Sequence, residues 1–128
     1  MSNPFAILLV EDSALMRSLL REMLRPEDAF QVFEAAHGGE ALDVLSRERV
    51  DLVLSDWNMH PVNGLQLLQS MRADTRLAAI PFVLMTGEHT PERAVHAVEA
   101  GVAAFLPKPF GRSQLASVLA PFTGRQAA

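Results

Sequence analysis

Residues 5–24 read FAILLVEDSALMRSLLREML, and a change of periodicity inside them decides the fold. Phe5 to Val10 are apolar without a break, the pattern of a short strand covered on both faces. From Leu15 onward the apolar residues fall at helical spacing, with Leu15, Met16, Leu19, Leu20, Met23 and Leu24 lining one side. Between strand and helix stand two carboxylates, Glu11 and Asp12.

The same unit recurs along the chain. Apolar runs at Phe30 to Ala35, Asp51 to Ser55, Ile80 to Met85 and Ala103 to Leu106 predict four more strands. Helical spacing lies between them, in Leu42 with Leu45, Leu65 with Leu68 and Met71, Val95 with Val98, and Leu115 with Val118 and Leu119. Five alternations predict an α/β fold with a parallel sheet, because right-handed crossovers place helices over both faces. Turn signals agree: Arg25-Pro26 closes the first helix, Gly38-Gly39 leads into the second, and Thr90-Pro91-Glu92 offers an N-cap, a proline at the first helical position and an acidic first turn.

With 128 residues, 49% of them hydrophobic, the expectation is one domain over 1–128, with a core over about 5–122 and a short flexible tail at 123–128. A net charge of -4 speaks against direct binding of nucleic acid or anionic membrane, both of which need basic surface. The absence of cysteine excludes thiolate metal sites and disulfides, and suits a reducing cytosol. No stretch approaches the roughly 20 apolar residues of a membrane span, so a cytoplasmic setting is expected.

Ligands of an open parallel sheet bind beyond the carboxyl ends of the strands. There the sequence places Glu11-Asp12 after the first strand, Asp56 after the third, Thr86-Gly87 after the fourth and Lys108-Pro109 after the fifth. Three carboxylates brought together repel unless protons or a cation compensate, and an all-oxygen set suits a hard ion such as Mg2+, for which Mn2+ can substitute. Mg2+ shares its coordination with phosphate oxygens, so the pattern fits phosphoryl transfer with Asp56 as nucleophile, Thr86 as a hydroxyl donor and Lys108 as a compact charge. Lys108 is the only lysine beside ten arginines, and a flexible point charge suits contact with both a carboxylate and a small phosphoryl group.

With these positions fixed, the chain resembles the response regulator receiver domain, the CheY-like family of two-component signalling, through ILLVEDS, LVLSDWNM with Gly64 after it, VLMTGE and FLPKPF. The resemblance runs from Ile7 to about Phe122 and implies a flavodoxin-like (βα)5 fold with strand order 2-1-3-4-5, the doubly wound class to which the chemotaxis member belongs. It implies that Asp56 accepts a phosphoryl group from a sensor histidine kinase or phosphotransfer protein. Glu11, Asp12, Asp56 and the carbonyl of Asn58 would hold Mg2+, and Thr86 and Lys108 would contact phosphoryl oxygens. Phe105 matches an aromatic position that reorients with Thr86 and alters the face of helix four, strand five and helix five, where a downstream protein would bind. Asn58 and Glu88 match positions that tune phosphoryl lifetime, here toward a fast-resetting switch. The Lys108-Pro109 bond matches a position that is commonly cis. Such a protein is a phosphoacceptor that assists its own phosphorylation and dephosphorylation, not an enzyme acting on other substrates, and a monomer or a weak phosphorylation-dependent dimer.

Blander roles stand beside these. Asp12 before a helix is accounted for by N-capping, Thr86-Gly87 by a turn, Phe105 by a half-buried strand position, and Trp57 by cover for the sheet. His37, His60, His89 and His96 lack metal-ligand spacing and read as surface residues. His60 departs from the family pattern, in which proline directly follows the Met59 position; here Pro61 comes one residue later. A phosphorylation-independent interaction module remains the main alternative. A flavodoxin-like cofactor binder is disfavoured because Glu11-Asp12 would repel a phosphate and no glycine-rich cradle follows strand one. A haloacid-dehalogenase-type phosphatase would need its paired-aspartate motif at strand one. The helix-four face around Pro91, Ala94 and Val118 lacks the lysines of a motor-binding chemotaxis protein, so the pathway stays open.

Overall fold

A computed structural model describes residues 4–24, 30–88 and 90–123. Its elements alternate without exception: β1 (Phe5–Val10), α1 (Ala14–Leu24), β2 (Phe30–Ala35), α2 (Gly38–Arg47), β3 (Leu52–Asp56), α3 (Gly64–Ala73), β4 (Phe82–Thr86), α4 (Pro91–Ala100), β5 (Ala104–Pro107) and α5 (Arg112–Thr123). The strands form one parallel sheet in the order β2-β1-β3-β4-β5. The expected fold and strand order are thus observed. Arg25-Pro26 and residues 124–128 of the expected tail lie outside the described residues, while Thr123 closes α5.

Period-two alternation divides the continuous apolar strands between two cores. Leu8, Val10, Val53, Phe82 and Leu84 pack with Ala41, Val44, Leu45, Leu67, Leu68, Met71 and Ala97 of α2, α3 and α4. Ile7, Leu9, Leu52, Leu54, Val83 and Met85 face the opposite way, against Leu20 and Leu24 of α1 and Leu115 and Leu119 of α5. Both faces of β1, β3 and β4 are therefore buried, which explains why their sequences show no polar alternation.

Three strands begin one or two residues later than the apolar runs suggest. Asp51 precedes β3 because its side chain serves as a staple: Oδ2 accepts from the Ala6 amide at 2.8 Å. Pro81 precedes β4 and has no amide to give, although its carbonyl accepts from Val53 at 3.0 Å. Ala103 donates to Phe82 at 2.9 Å just ahead of β5. The ends shift in compensation, and Asp56 and Thr86 become the last strand residues, paired with Met85 and Pro107. Their backbones are thereby fixed by the sheet rather than by a loop.

Helix starts follow side-chain chemistry. Asn63 and Gln66 form a reciprocal capping box on α3, and Thr90 accepts from the Arg93 amide at 3.2 Å to cap α4. His37 departs from its expected surface role. It is half-buried, and its Nδ1 accepts from the Gly39 amide at 3.0 Å as the N-cap of α2.

Gly64 opens α3 with its amide on the Trp57 carbonyl at 2.9 Å. A Cβ there would fall on the carbonyl oxygen of Asp56 and 3.1 Å from Leu84 Cδ1. Gly64→Ala should therefore lower stability by about 1–3 kcal/mol, the usual range for overpacking, as read from urea unfolding. A stability equal to the wild type would show that the loop yields without cost.

Candidate functional site

The carboxyl ends of β1, β3, β4 and β5 meet at one edge of the sheet. Asp56 ends β3 and is 7% exposed. Its Oδ1 accepts from the Trp57 amide at 2.9 Å and from Lys108 Nζ at 3.1 Å. Lys108 follows β5, with its amide on the Thr86 carbonyl at 2.8 Å and a cis bond to Pro109 as expected. Its ammonium also lies 3.9 Å from Glu11 Oε2.

Glu11 follows β1 and is even more buried than Asp56. Its amide donates to the Ala35 carbonyl at 3.0 Å and its carbonyl accepts from Arg17 Nη1 at 2.6 Å, which pins the turn between β1 and α1. Arg17 also donates to Glu34 at 3.0 Å. Asp12 is exposed and does not cap α1; Ser13 does, its Oγ accepting from the Met16 amide at 3.2 Å. The Asp12 carboxylate is thus not needed by the helix.

One oxygen from each of Glu11, Asp12 and Asp56 lies within 4.8 Å of the others. Only one ammonium, that of Lys108, compensates this cluster among the described residues. Glu11 Oε2 is buried without a hydrogen bond among the described residues. Burial first, and then the neighbouring Asp56 carboxylate, push the Glu11 carboxyl up from 4.5 to about 7, with Lys108 opposing. A buried acceptor without a hydrogen bond, surplus negative charge and an all-oxygen donor set fit a hard divalent cation.

The remaining predicted positions surround this centre. Thr86 ends β4 and is buried, but its hydroxyl is engaged locally, donating to the Glu88 carbonyl at 2.9 Å and accepting from the Glu88 amide at 3.1 Å. Phe105 is half-buried on β5 against the α2, α3, α4 side of the core. Asn58 and Glu88 are exposed at the mouth. Trp57, rather than merely covering the sheet, is buried in the core together with Met59. His60 and His96 are exposed, the His60-Pro61 bond is cis, and His89 lies outside the described residues.

Sequence reasoning missed Arg93. Its guanidinium lies over Trp57 at 4.6 Å from the ring centroid, with Nη2 3.4 Å from Asn58 Oδ1 and 3.9 Å from Glu88 Oε1. The available signal was a cation in the first turn of a helix, where the macrodipole disfavours one.

Residues 7–120 match the family model of the response regulator receiver domain. The chain belongs to that family. A chemotaxis protein CheY homolog of Campylobacter jejuni is 35% identical over 127 residues, covering 95% of this chain and 98% of the relative. The chemotaxis response regulator CheY4 of Vibrio cholerae superposes with a TM-score of 0.85 at 28% identity, covering 93% of this chain and 98% of the other. The receiver domain of a sensor histidine kinase from Pseudomonas aeruginosa, solved with a magnesium ion coordinated in its active-site cleft, gives a TM-score of 0.85 at 27% identity, over 95% of this receiver and 99% of that one.

The raised Glu11 carboxyl gives the metal-free protein a definite pH response. Between pH 4.5 and about 7 the folded state holds a proton on Glu11 that the unfolded chain has released. The contribution of Glu11 to stability is therefore greatest below pH 4.5 and declines as pH rises through that window. Urea unfolding in chelator should show this decline in the wild type and a flatter profile in Glu11→Gln; parallel profiles would refute the buried acid.

Proposed function

We propose that this receiver is a phosphoacceptor of a two-component phosphorelay, with Asp56 as the phosphorylated residue. The observation that carries the reading is the contact of Lys108 Nζ with Asp56 Oδ1 at 3.1 Å, inside a cluster with Glu11 and Asp12 at the carboxyl edge of the sheet. An Asp56 oxygen attacks the phosphorus of a phosphohistidine on a sensor kinase or phosphotransfer protein. The P–N bond breaks, the ring leaves as neutral imidazole because its other nitrogen carries a proton, and an acyl phosphate forms on Asp56.

Lys108 carries charge that can follow an oxygen from carboxylate to phosphoryl group, because its stem is flexible. Glu11, Asp12, Asp56 and the Asn58 carbonyl would hold Mg2+, or Mn2+ in its place. The bound ion would supply charge neutralisation for the phosphoryl oxygens. The fit rests on Glu11 Oε2, buried without a hydrogen bond among the described residues, and on the three close carboxylates. The Pseudomonas aeruginosa receiver with magnesium in its cleft supports the same assignment by similarity.

Thr86 is the first link of the switch. Its hydroxyl would leave Glu88 for a phosphoryl oxygen, giving up the two bonds it now makes within its own loop. Phe105, on the neighbouring strand, would reorient with it. The face so altered belongs to α4, β5 and α5, where Val95 and Val98 are exposed at 55% and 63% and offer apolar contact to a downstream protein. No helix among the described residues is long and apolar enough to cross a membrane.

Incubation with Mg2+ and acetyl phosphate should give an acid-stable, hydroxylamine-labile phosphate and a change in Trp57 emission. Asp56→Asn should show neither, and retention of label in that variant would sink the reading. Thr86→Ala should still accept phosphate at Asp56, while amide exchange in α4 and β5 no longer responds to it. An intact exchange response in that variant would remove Thr86 from the switch.

A further inference from the structure

Arg93 stands in the first turn of α4, at the positive end of the helix macrodipole. The helix has its own N-terminal devices in the Thr90 cap, Pro91 and Glu92, and draws nothing from a third-position cation. The place of the guanidinium is therefore explained by what it touches. It stacks on Trp57, reaches Asn58 Oδ1 and pairs with Glu88, so one side chain ties α4 to the loops after β3 and β4. Its side chain is only 27% exposed, and Nη1 is buried without a hydrogen bond among the described residues.

Asn58 and Glu88 follow Asp56 and Thr86 by two residues each and flank the mouth of the site. Hydrolysis of an aspartyl phosphate requires a water oxygen to attack phosphorus as the bond to the Asp56 oxygen breaks. The products are the Asp56 carboxylate, inorganic phosphate and a proton passed to solvent. A side-chain oxygen that accepts a hydrogen bond from that water orients it for attack. In this structure the Asn58 and Glu88 oxygens both face a single guanidinium nitrogen.

We propose that Arg93 is a positioning residue that lengthens the life of the Asp56 phosphate by engaging the acceptor oxygens of Asn58 and Glu88 and keeping them from the attacking water. The proposal rests on the phosphoacceptor reading and deepens it. It also qualifies the expectation of fast resetting drawn from Asn58 and Glu88 alone, since Arg93 restrains both. Contact with the Trp57 ring face at 4.6 Å holds the planar, multidentate fork in place, which lysine does not reproduce.

The test follows loss of phosphate from the whole chain after loading with acetyl phosphate and Mg2+ and removal of the donor. Arg93→Ala should lose phosphate about three- to tenfold faster than wild type, the rate equivalent of one ordinary hydrogen bond. Arg93→Lys should show most of the same acceleration. In an Asn58→Ala/Glu88→Ala background, Arg93→Ala should add no further acceleration, a dependence that a merely structural role for Arg93 would not produce. Equal lifetimes of wild type and Arg93→Ala, or an undiminished effect in the double background, would overturn the proposal while leaving phosphorylation of Asp56 intact. Absence of label on the wild-type chain would overturn the phosphoacceptor reading, and this proposal with it. Far-UV circular dichroism matching the wild type, with altered Trp57 emission before phosphorylation, would show that the stacking contact is lost and the fold kept; unchanged emission would count against the stacked arrangement.

Discussion

Lys108 holds the site together by standing between two carboxylates that the sheet has buried, Asp56 at 3.1 Å and Glu11 at 3.9 Å. Without that ammonium neither carboxylate would have an ion-pair partner among the described residues, and desolvation would drive a proton onto one of them. Even with Lys108 present, the Glu11 carboxyl is pushed to about 7. The strand order makes the contact achievable. β1 and β3 are neighbours, which brings Glu11 and Asp56 side by side, and β5 lies beyond β4, which leaves a gap that a four-carbon stem can span.

The sheet was legible because its three central strands, β1, β3 and β4, are buried on both faces and appear as apolar runs with a polar break at the end, while β2 and β5 at the edges are only partly covered. Since all five strands are parallel, those breaks fall at one edge, and Glu11, Asp12, Asp56, Thr86 and Lys108 could be grouped from order alone. Strand starts were less legible, because they depend on single backbone groups: the missing amide of Pro81 and the amide of Ala6 claimed by Asp51. Periodicity does not encode either.

Arg93 was illegible for a different reason. Its partner Asn58 is 35 residues away, and the contact exists only because the loops after β3 and β4 converge on the first turn of α4. Likewise, Asp12 looked like a helix cap until Ser13 was seen to fill that place. Side chains whose role depends on two loops at once leave no local pattern, whereas residues fixed by a strand end leave one at a known offset.

The same loops set the energetic scale of any switch. In the state described here Thr86 is committed twice to Glu88, and Glu88 and Asn58 are drawn to Arg93. The two neutral bonds between Thr86 and Glu88 contribute about 0.5–1.5 kcal/mol each, and the contacts of Arg93 at the exposed mouth about as much again, so the arrangement is held by a few kcal/mol in all. Moving a two-state equilibrium from one dominant form to the other takes about 5.5 kcal/mol of differential interaction. A phosphoryl group on Asp56, as proposed, would offer Thr86 and Lys108 charge-assisted hydrogen bonds in that range, each roughly twice as strong as a neutral one. Under the proposed phosphorylation of Asp56, the resting contacts would be strong enough to define a state and weak enough for one modified aspartate to displace, and the position of Arg93 would make the loop after β3 part of the same balance.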